Sequence, residues 1–138
     1  MSATPKYPSG GILKWGSLTA ANTALDGTGT VLTLSPGAVP TRVKGVTVRH
    51  LGTNVATLTR VFLNNGGANS SAANNSLVAE RTILANTLSQ TAESIAYFIP
   101  LGIDGSGIIM PASYQILITL GTAVAAGLQF TLECEDLT

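Results

Sequence analysis

The sequence predicts an all-β fold, an antiparallel, jelly-roll-like β-sandwich of about eight strands with an extended N-terminal arm. Clusters of Gly, Asn, Asp, Ser and Pro recur at short intervals along the 138 residues, and such clusters form turns. The runs between them are rich in Val, Ile, Leu, Thr and Phe, which favour strands. No segment shows a convincing apolar stripe with helical spacing. The strand count alone does not separate a jelly roll from an immunoglobulin-like sandwich.

The chain is expected to begin with an extended arm, residues 1–11, followed by a single domain, residues 12–138. Pro5 and Pro8 favour extended backbone without ladder hydrogen bonds, and a chain of this length suits one domain. Large apolar and aromatic side chains lie in the arm or directly after it, and such residues anchor protein contacts. The four candidates for contact with a neighbouring surface are Tyr7, Ile12, Leu13 and Trp15.

Eight segments are predicted as strands. In chain order they are Ser17–Thr23, Thr30–Leu34, Arg42–Leu51, Val55–Asn64, Ser76–Leu84, Ser94–Ile99, Tyr114–Leu120 and Leu128–Glu133. The third and fourth are predicted to form a hairpin around the break Gly52-Thr53-Asn54. The fifth lies in a segment that contains good helix formers, but its β-branched residues favour a strand.

The fourth predicted strand is not cleanly polar on either face, although a strand with one solvated face should alternate sharply. One face carries Val55, Thr57, Thr59, Val61 and Leu63. The other carries Ala56, Leu58, Arg60, Phe62 and Asn64. Either another subunit covers part of the second face, or that face packs under a loop. Four residues of this strand and the preceding one are assigned to a possible interface: Arg49, His50, Arg60 and Phe62.

The charge content is unusually low. Charged residues make up 10% of the chain, against roughly 25% in typical soluble proteins. Seven basic and seven acidic residues give a formal net charge of zero, so little repulsion opposes self-association. The surface is either polar and uncharged or covered by copies of the chain or by a partner. No basic stripe is present, which disfavours nucleic acid and anionic membranes as partners.

The sequence offers no recognisable catalytic or metal-binding motif, so we expect no enzymatic activity, no cofactor and no metal. One His and one Cys cannot form a transition-metal site by themselves. No calcium loop, phosphate-binding glycine loop or G-x-S-x-G elbow is present. Cys134 is expected to be a small core residue on the last strand, with a thiol pKa raised by Glu133 and Glu135.

The stretch Asn64–Ser76, NNGGANSSAANNS, is long for a hairpin connection, and long loops tend to be functional or flexible. Its amides could bind a sugar or a neighbouring protein, or the stretch could be a solvated mobile tip. The candidate binding residues are Asn64, Asn65, Asn69, Asn74 and Asn75.

No ordinary export or membrane segment is evident. The N-terminus lacks the apolar core of a signal peptide. The longest apolar tract, Ile116–Phe130, is shorter than the about 20 residues that a spanning helix needs, and it is predicted as two strands around a turn. We therefore expect a soluble protein.

Three segments, GSLTAANTALDGTGTV, VRHLGTNVATLTRVFLNNG and LITLGTAVAAGLQFT, resemble the small structural proteins of tailed bacteriophages in composition and turn pattern. The resemblance extends from about Gly16 to Thr131. It implies a jelly-roll subunit, commonly trimeric, that sits on the outside of the capsid as a cement or decoration protein. Other proteins of this size class belong to the tail or to fibre tips. No catalytic residue is implied.

The expected function is therefore that of a non-enzymatic virion protein. The partners implied are further copies of the chain, as a homotrimer, and the phage major capsid protein. The location implied is the capsid surface, after synthesis in the host cytoplasm. The alternatives are a carbohydrate- or receptor-binding module of a tail or fibre, and a tail or neck component. Aromatic residues, on which sugars usually stack, make up only 5% of the chain.

Overall fold

A computed structural model describes residues 8–35, 39–102 and 105–137, and in these residues the chain is all-β, as predicted. The nine strands are β1 Pro8–Leu18, β2 Leu32–Leu34, β3 Thr41–His50, β4 Thr57–Asn64, β5 Asn75–Ile83, β6 Tyr97–Pro100, β7 Ile108–Met110, β8 Gln115–Leu120 and β9 Leu128–Leu137. A short 3-10 turn, Ala72–Asn74, precedes β5.

The strands form two antiparallel sheets, which confirms the prediction of a β-sandwich. The first sheet has the order β1-β9-β3-β6, and β7 also pairs with β3. The second sheet has the order β2-β8-β4-β5. Seven of the predicted strands correspond to observed ones within a few residues, whereas the three-residue strand β7 was not predicted.

The core lies between the two sheets. Side chains alternate between the faces of a strand, so every second residue points inward. In β8, Ile116, Ile118 and Leu120 belong to the core cluster, whereas Leu117 and Thr119 face outward. The first sheet contributes β-branched and aromatic side chains from β3, β6 and β9. Burial of these apolar surfaces is the main force that holds the sheets together.

The predicted β3–β4 hairpin is wrong, because the two strands belong to different sheets. The connection between them crosses one end of the sandwich and is held there by Asn54. The Asn54 backbone exchanges two hydrogen bonds with Asn86, at 2.9 and 3.0 Å. The Asn54 side chain donates to Gly127 O (2.8 Å) and accepts from Ala126 N (3.0 Å). These long-range contacts direct the chain into the second sheet.

The first predicted strand is displaced toward the N-terminus. Residues 19–23 of that prediction lie after the end of β1, at Leu18. The observed strand β1 begins at Pro8, which lies opposite Leu137. It therefore includes the last four residues of the predicted arm. The rest of that arm, residues 1–7 with Tyr7, lies outside the described residues.

The centre of the outer face of the second sheet is covered by the chain itself, whereas Leu77, opposite Phe62 at the β5 edge, is 46% exposed. Phe62 and Leu117 lie opposite each other on this face and are each only 1% exposed, although neither belongs to the core cluster between the sheets. Segment 19–31, which joins β1 to β2, is hydrogen-bonded at both ends of this face. Asn22 N donates to Leu120 O (2.7 Å) at one end, and Asn75 Nδ2 donates to Asp26 O (3.1 Å) at the other. The second face of β4 therefore packs under a loop.

Candidate functional site

The outer face of the first sheet, in contrast, carries exposed apolar side chains at both of its edges. On β1, Leu13 and Trp15 lie opposite Glu133 and Thr131 of β9, which point away from the core residue between them. Trp15 is 65% exposed and Leu13 57%. At the other edge, Phe98 and Ile109 are 48% and 61% exposed. We call this surface, with its four exposed apolar side chains, the open face.

The open face has a charged centre. Lys44 Nζ lies 3.2 Å from Glu135 Oε1, and Arg42 Nη1 lies 3.9 Å from Glu135 Oε2. These groups are partly exposed, and such ion pairs contribute little to stability. Beside them is a depression of about 330 Å³. Its lining includes Gly11, Leu13, Lys44, Glu133, Cys134 and Glu135. The volume of the depression lies at the lower end of the range for ligand sites.

The β1 strand forms one edge of this sheet. In the described residues it pairs with β9 on one side and has no hydrogen-bonded strand on the other. A free edge of 11 residues presents backbone donors and acceptors to any further strand that approaches it. Ile12, one of the predicted contact residues, lies in β1 opposite Cys134, and its side chain is not described.

Some of the predicted interface residues lie on the open face, and others lie elsewhere in the fold. Leu13, Trp15 and Arg49 are exposed, and all three lie on it. Arg60 belongs to the second sheet and donates to Glu80 Oε1 at 2.9 Å. The prediction for Phe62 is corrected, because this side chain is covered within one chain and is not available to a partner.

The prediction of His50 as a surface or interface side chain is also corrected, because His50 is only 6% exposed. Its Nδ1 lies 3.2 Å from Asn54 Nδ2. The bonds of Asn54 to Gly127 and Ala126 set the orientation of its amide, so His50 Nδ1 must accept this hydrogen bond. His50 is therefore part of the structure that closes this end of the sandwich.

Asparagine amides of the predicted binding loop bond to one another. Asn64 Nδ2 donates to Asn75 Oδ1 (2.9 Å), and Asn65 Nδ2 donates to Asn74 Oδ1 (3.2 Å). Asn74 Nδ2 donates to Ala68 O (3.0 Å). The loop is therefore an ordered part of the fold, and these side-chain amides already have hydrogen-bond partners within the chain.

The same loop holds the segment that covers the second sheet. Asn69 Nδ2 donates to Gly27 O (3.2 Å) and Gly29 O (3.3 Å). Asn75 Nδ2 donates to both Asp26 O (3.1 Å) and Asn69 O (2.9 Å). The five asparagines predicted to bind a ligand are brought together by the fold, and the amides bind the chain itself.

Cys134 lies on β9 in the core, as predicted. Burial, and to a smaller extent the nearby charge of Asp136, raise the pKa of its thiol to about 11, while Lys14 opposes the shift. The direction agrees with the prediction, but the main cause is burial and the acidic neighbour is Asp136 instead of Glu133 or Glu135. A thiol that keeps its proton is a poor nucleophile.

Phe98 and Ile109 are the members of the open face that the sequence did not predict. Phe98 lies between two buried residues in the run Tyr97-Phe98-Ile99, and this alternation is the signal that could have identified it. Ile109 lies in β7, which is too short to give a pattern.

In the described part of the chain, no group of three or more His, Cys, Asp or Glu side chains is placed to hold a metal ion. Within residues 8–35, 39–102 and 105–137, no helix has the length and apolar character to span a bilayer. No protein family model, no curated protein and no solved structure matches this chain.

Proposed function

We propose that this chain is a non-enzymatic structural subunit of a phage virion, a homotrimeric cement or decoration protein that binds the outer surface of the head and stabilises the shell. The observation that carries the proposal is the contrast between the two outer faces. One is closed over Phe62 and Leu117 at its centre and leaves Leu77 exposed at the β5 edge, whereas the other leaves Leu13 and Trp15 exposed beside the free β1 edge. Contiguous exposed apolar patches are typical of surfaces that bind other proteins, and Leu13 and Trp15 are neighbours on one face of β1.

The proposal includes a jelly-roll topology. Four antiparallel pairs support it: β1 with β9, β2 with β8, β3 with β6, and β4 with β5. These pairs are nested along the sequence, because each pair lies between the two strands of the pair before it. The innermost pair, β4 and β5, is joined by the Asn64–Ser76 loop, where the chain reverses its direction. Capsid proteins commonly use this arrangement of two Greek keys.

The proposed mechanism is stabilisation by differential binding. A protein that binds the assembled shell, and not its separated subunits, lowers the free energy of the assembled state alone. Burial of the exposed parts of Leu13 and Trp15 would contribute roughly 25 cal/mol per Å² of apolar surface removed from water. No proton transfer or covalent step is required.

The carbohydrate- or receptor-binding alternative depends on free amides in the Asn-rich loop. Those amides are engaged in the bonds that hold the loop and segment 19–31. A tail or neck component would use the same exposed surface, and only its location in the particle would differ from that of a cement protein.

The self-association part of the proposal is tested by light scattering during size-exclusion chromatography over a dilution series. We expect a trimer whose mass does not change with concentration. The Leu13→Ser/Trp15→Ser variant should have a mass lower than that of a trimer if the open face forms the contact between subunits. Leu25→Ser is the matched control, because Leu25 is 67% exposed but lies on segment 19–31. A monomeric wild-type chain at every concentration would contradict the trimer.

The location is tested with an antibody raised against the purified chain. In intact particles of the source phage, the antibody should label the outside of the head, as seen by electron microscopy. Labelling of the tail, neck or fibres would favour the alternatives. Particles that contain none of the chain by mass spectrometry would contradict a structural role in the virion.

A further inference from the structure

We propose that Asn65 is the site at which this chain converts asparagine to aspartate and isoaspartate, and that the asparagine network around it restrains the reaction while the loop is folded. The inference does not depend on the proposed function. It rests on the Asn65-Gly66 dipeptide, the only Asn-Gly pair in the sequence, and on the hydrogen bonds at this dipeptide.

The reaction is an intramolecular attack on the side-chain amide. A base removes the proton from Gly66 N, and this nitrogen forms a bond to Asn65 Cγ. The Cγ–Nδ2 bond breaks, and Nδ2 leaves as ammonia after it gains a proton. Water then opens the five-membered succinimide at either carbonyl, which gives aspartate or isoaspartate. Gly favours the first step because it has no side chain to hinder the approach.

The fold requires Gly at position 66. Its φ of +92° lies in the left-handed region that other residues rarely adopt. A Cβ atom at this position would lie 3.1 Å from Ser113 O. The chain therefore cannot readily replace Gly66 with a bulkier residue that would slow the chemistry at Asn65, and restraint has to come from the surrounding contacts.

Three hydrogen bonds provide that restraint. Gly66 N, the attacking atom, donates to Asn64 Oδ1 at 2.8 Å. Asn65 Oδ1 accepts from Gly67 N at 3.0 Å, and Asn65 Nδ2 donates to Asn74 Oδ1 at 3.2 Å. The attacking nitrogen and the amide under attack are thus both held by other partners. The loop must open before the five-membered ring can close.

Conversion would weaken the same network. An aspartate or isoaspartate at position 65 carries a negative charge and has no amide donor for Asn74 Oδ1. Isoaspartate also lengthens the backbone at the point where Gly66 must adopt its left-handed conformation. Because this loop holds segment 19–31, opening of the loop would loosen the cover on the second sheet.

The test compares deamidation in the folded and unfolded full-length protein. Both samples are incubated at neutral pH and physiological temperature, one in buffer and one in guanidinium chloride. Peptide mapping by mass spectrometry then measures conversion at each asparagine. We expect Asn65 to be the fastest site in both samples. We also expect its rate in the folded protein to be at least about tenfold lower, equivalent to an opening free energy of about 1.4 kcal/mol.

Asn74→Ala is the variant that releases Asn65 Nδ2 without changing the reacting dipeptide. Asn86→Ala is its matched control, because Asn86 lies at the other end of the sandwich and its buried Nδ2 has no hydrogen-bond partner among the described residues. Asn74→Ala should raise the folded-state rate at Asn65 several-fold, and Asn86→Ala should leave it unchanged. Circular dichroism before incubation confirms that each variant is folded.

Three results would overturn the proposal. Equal rates at Asn65 in the folded and unfolded protein would show that the network restrains nothing. Faster conversion at another asparagine would assign the site elsewhere. An unchanged rate in folded Asn74→Ala would exclude the Asn65–Asn74 bond as part of the restraint. The wild-type comparison decides the first two points without any variant.

Discussion

Asparagine amides make many of the long-range polar contacts of this chain. Asn22 Nδ2 donates to Thr28 O and Thr30 O, both at 2.7 Å, and so shapes segment 19–31. Asn54 holds one end of the sandwich, and the asparagines of the long loop hold the other. An amide can donate and accept without a net charge. The low charge content therefore has a partial explanation inside the subunit, apart from any covered surface.

Cys134 provides a pH-dependent prediction at the scale of one residue. Burial raises the pKa of its thiol from 9.0 to about 11. Because the raised pKa reflects a preference for the protonated form, the stability from this group is present below the unfolded-state pKa and is lost as pH rises through about 11. We expect the native thiol to react slowly with a disulfide reagent at about pH 8, since the thiolate is the nucleophile.

The measurement compares the reaction rate of Cys134 with such a reagent in buffer and in guanidinium chloride. Unfolding should accelerate the reaction strongly, because it exposes the sulfur and restores an ordinary thiol pKa. A native rate equal to the unfolded rate would contradict the burial of Cys134 on β9.

At the scale of strands, sequence patterns located most elements but not their partners. Runs of Val, Ile and Thr between turn residues mark β3 and β4 because these side chains favour pleated, half-buried surfaces. The break at Gly52-Thr53-Asn54 looks the same whether the next strand pairs locally or crosses to another sheet. The deciding contacts join Asn54 to Gly127 and Asn86, and no local pattern contains them.

The same limit applies to the candidate site, because local sequence patterns identify some of its residues but not the segments that cover them. Leu13 and Trp15 could be predicted because they are large apolar residues in a segment with little else to bury them. His50 and Phe62 could not be assigned correctly. Their exposure depends on which chain segments cover their strands, and those contacts are distant in sequence.

Paired substitutions of phenylalanine test the contrast between the two outer faces. Phe62 is 1% exposed on the outer face of the second sheet, so Phe62→Ala should lower the free energy of unfolding by about 3 to 5 kcal/mol. Phe98 is 48% exposed on the open face, so Phe98→Ala should lower the stability of the monomer by about 1 kcal/mol or less.

Guanidinium denaturation of both phenylalanine variants at low protein concentration gives the comparison. Equal losses of stability would contradict the cover over the second sheet. A large loss for Phe98→Ala that appears only at high protein concentration would instead place Phe98 in a contact between subunits.

At the scale of the whole molecule, one outer face is buried at its centre, around Phe62 and Leu117, and the other carries exposed apolar side chains at both of its edges. The chain has seven basic and seven acidic residues, and Arg42, Lys44 and Glu135 are paired within the open face. Because the formal net charge is zero, no net charge attracts or repels a second copy over a distance. Leu13, Trp15, Phe98 and Ile109 supply the exposed apolar area, so we expect association to be driven by apolar burial.

This expectation predicts that the proposed trimer is insensitive to salt. Raising NaCl from about 0.05 M to about 1 M shortens the Debye length to about 3 Å and screens exposed ion pairs. Apolar contacts are not weakened by this screening. The mass measured by light scattering should therefore stay that of a trimer at both salt concentrations and at the lowest protein concentration that gives a signal. Dissociation only at high salt would show that charged side chains, such as the exposed Arg49, hold the subunits together instead.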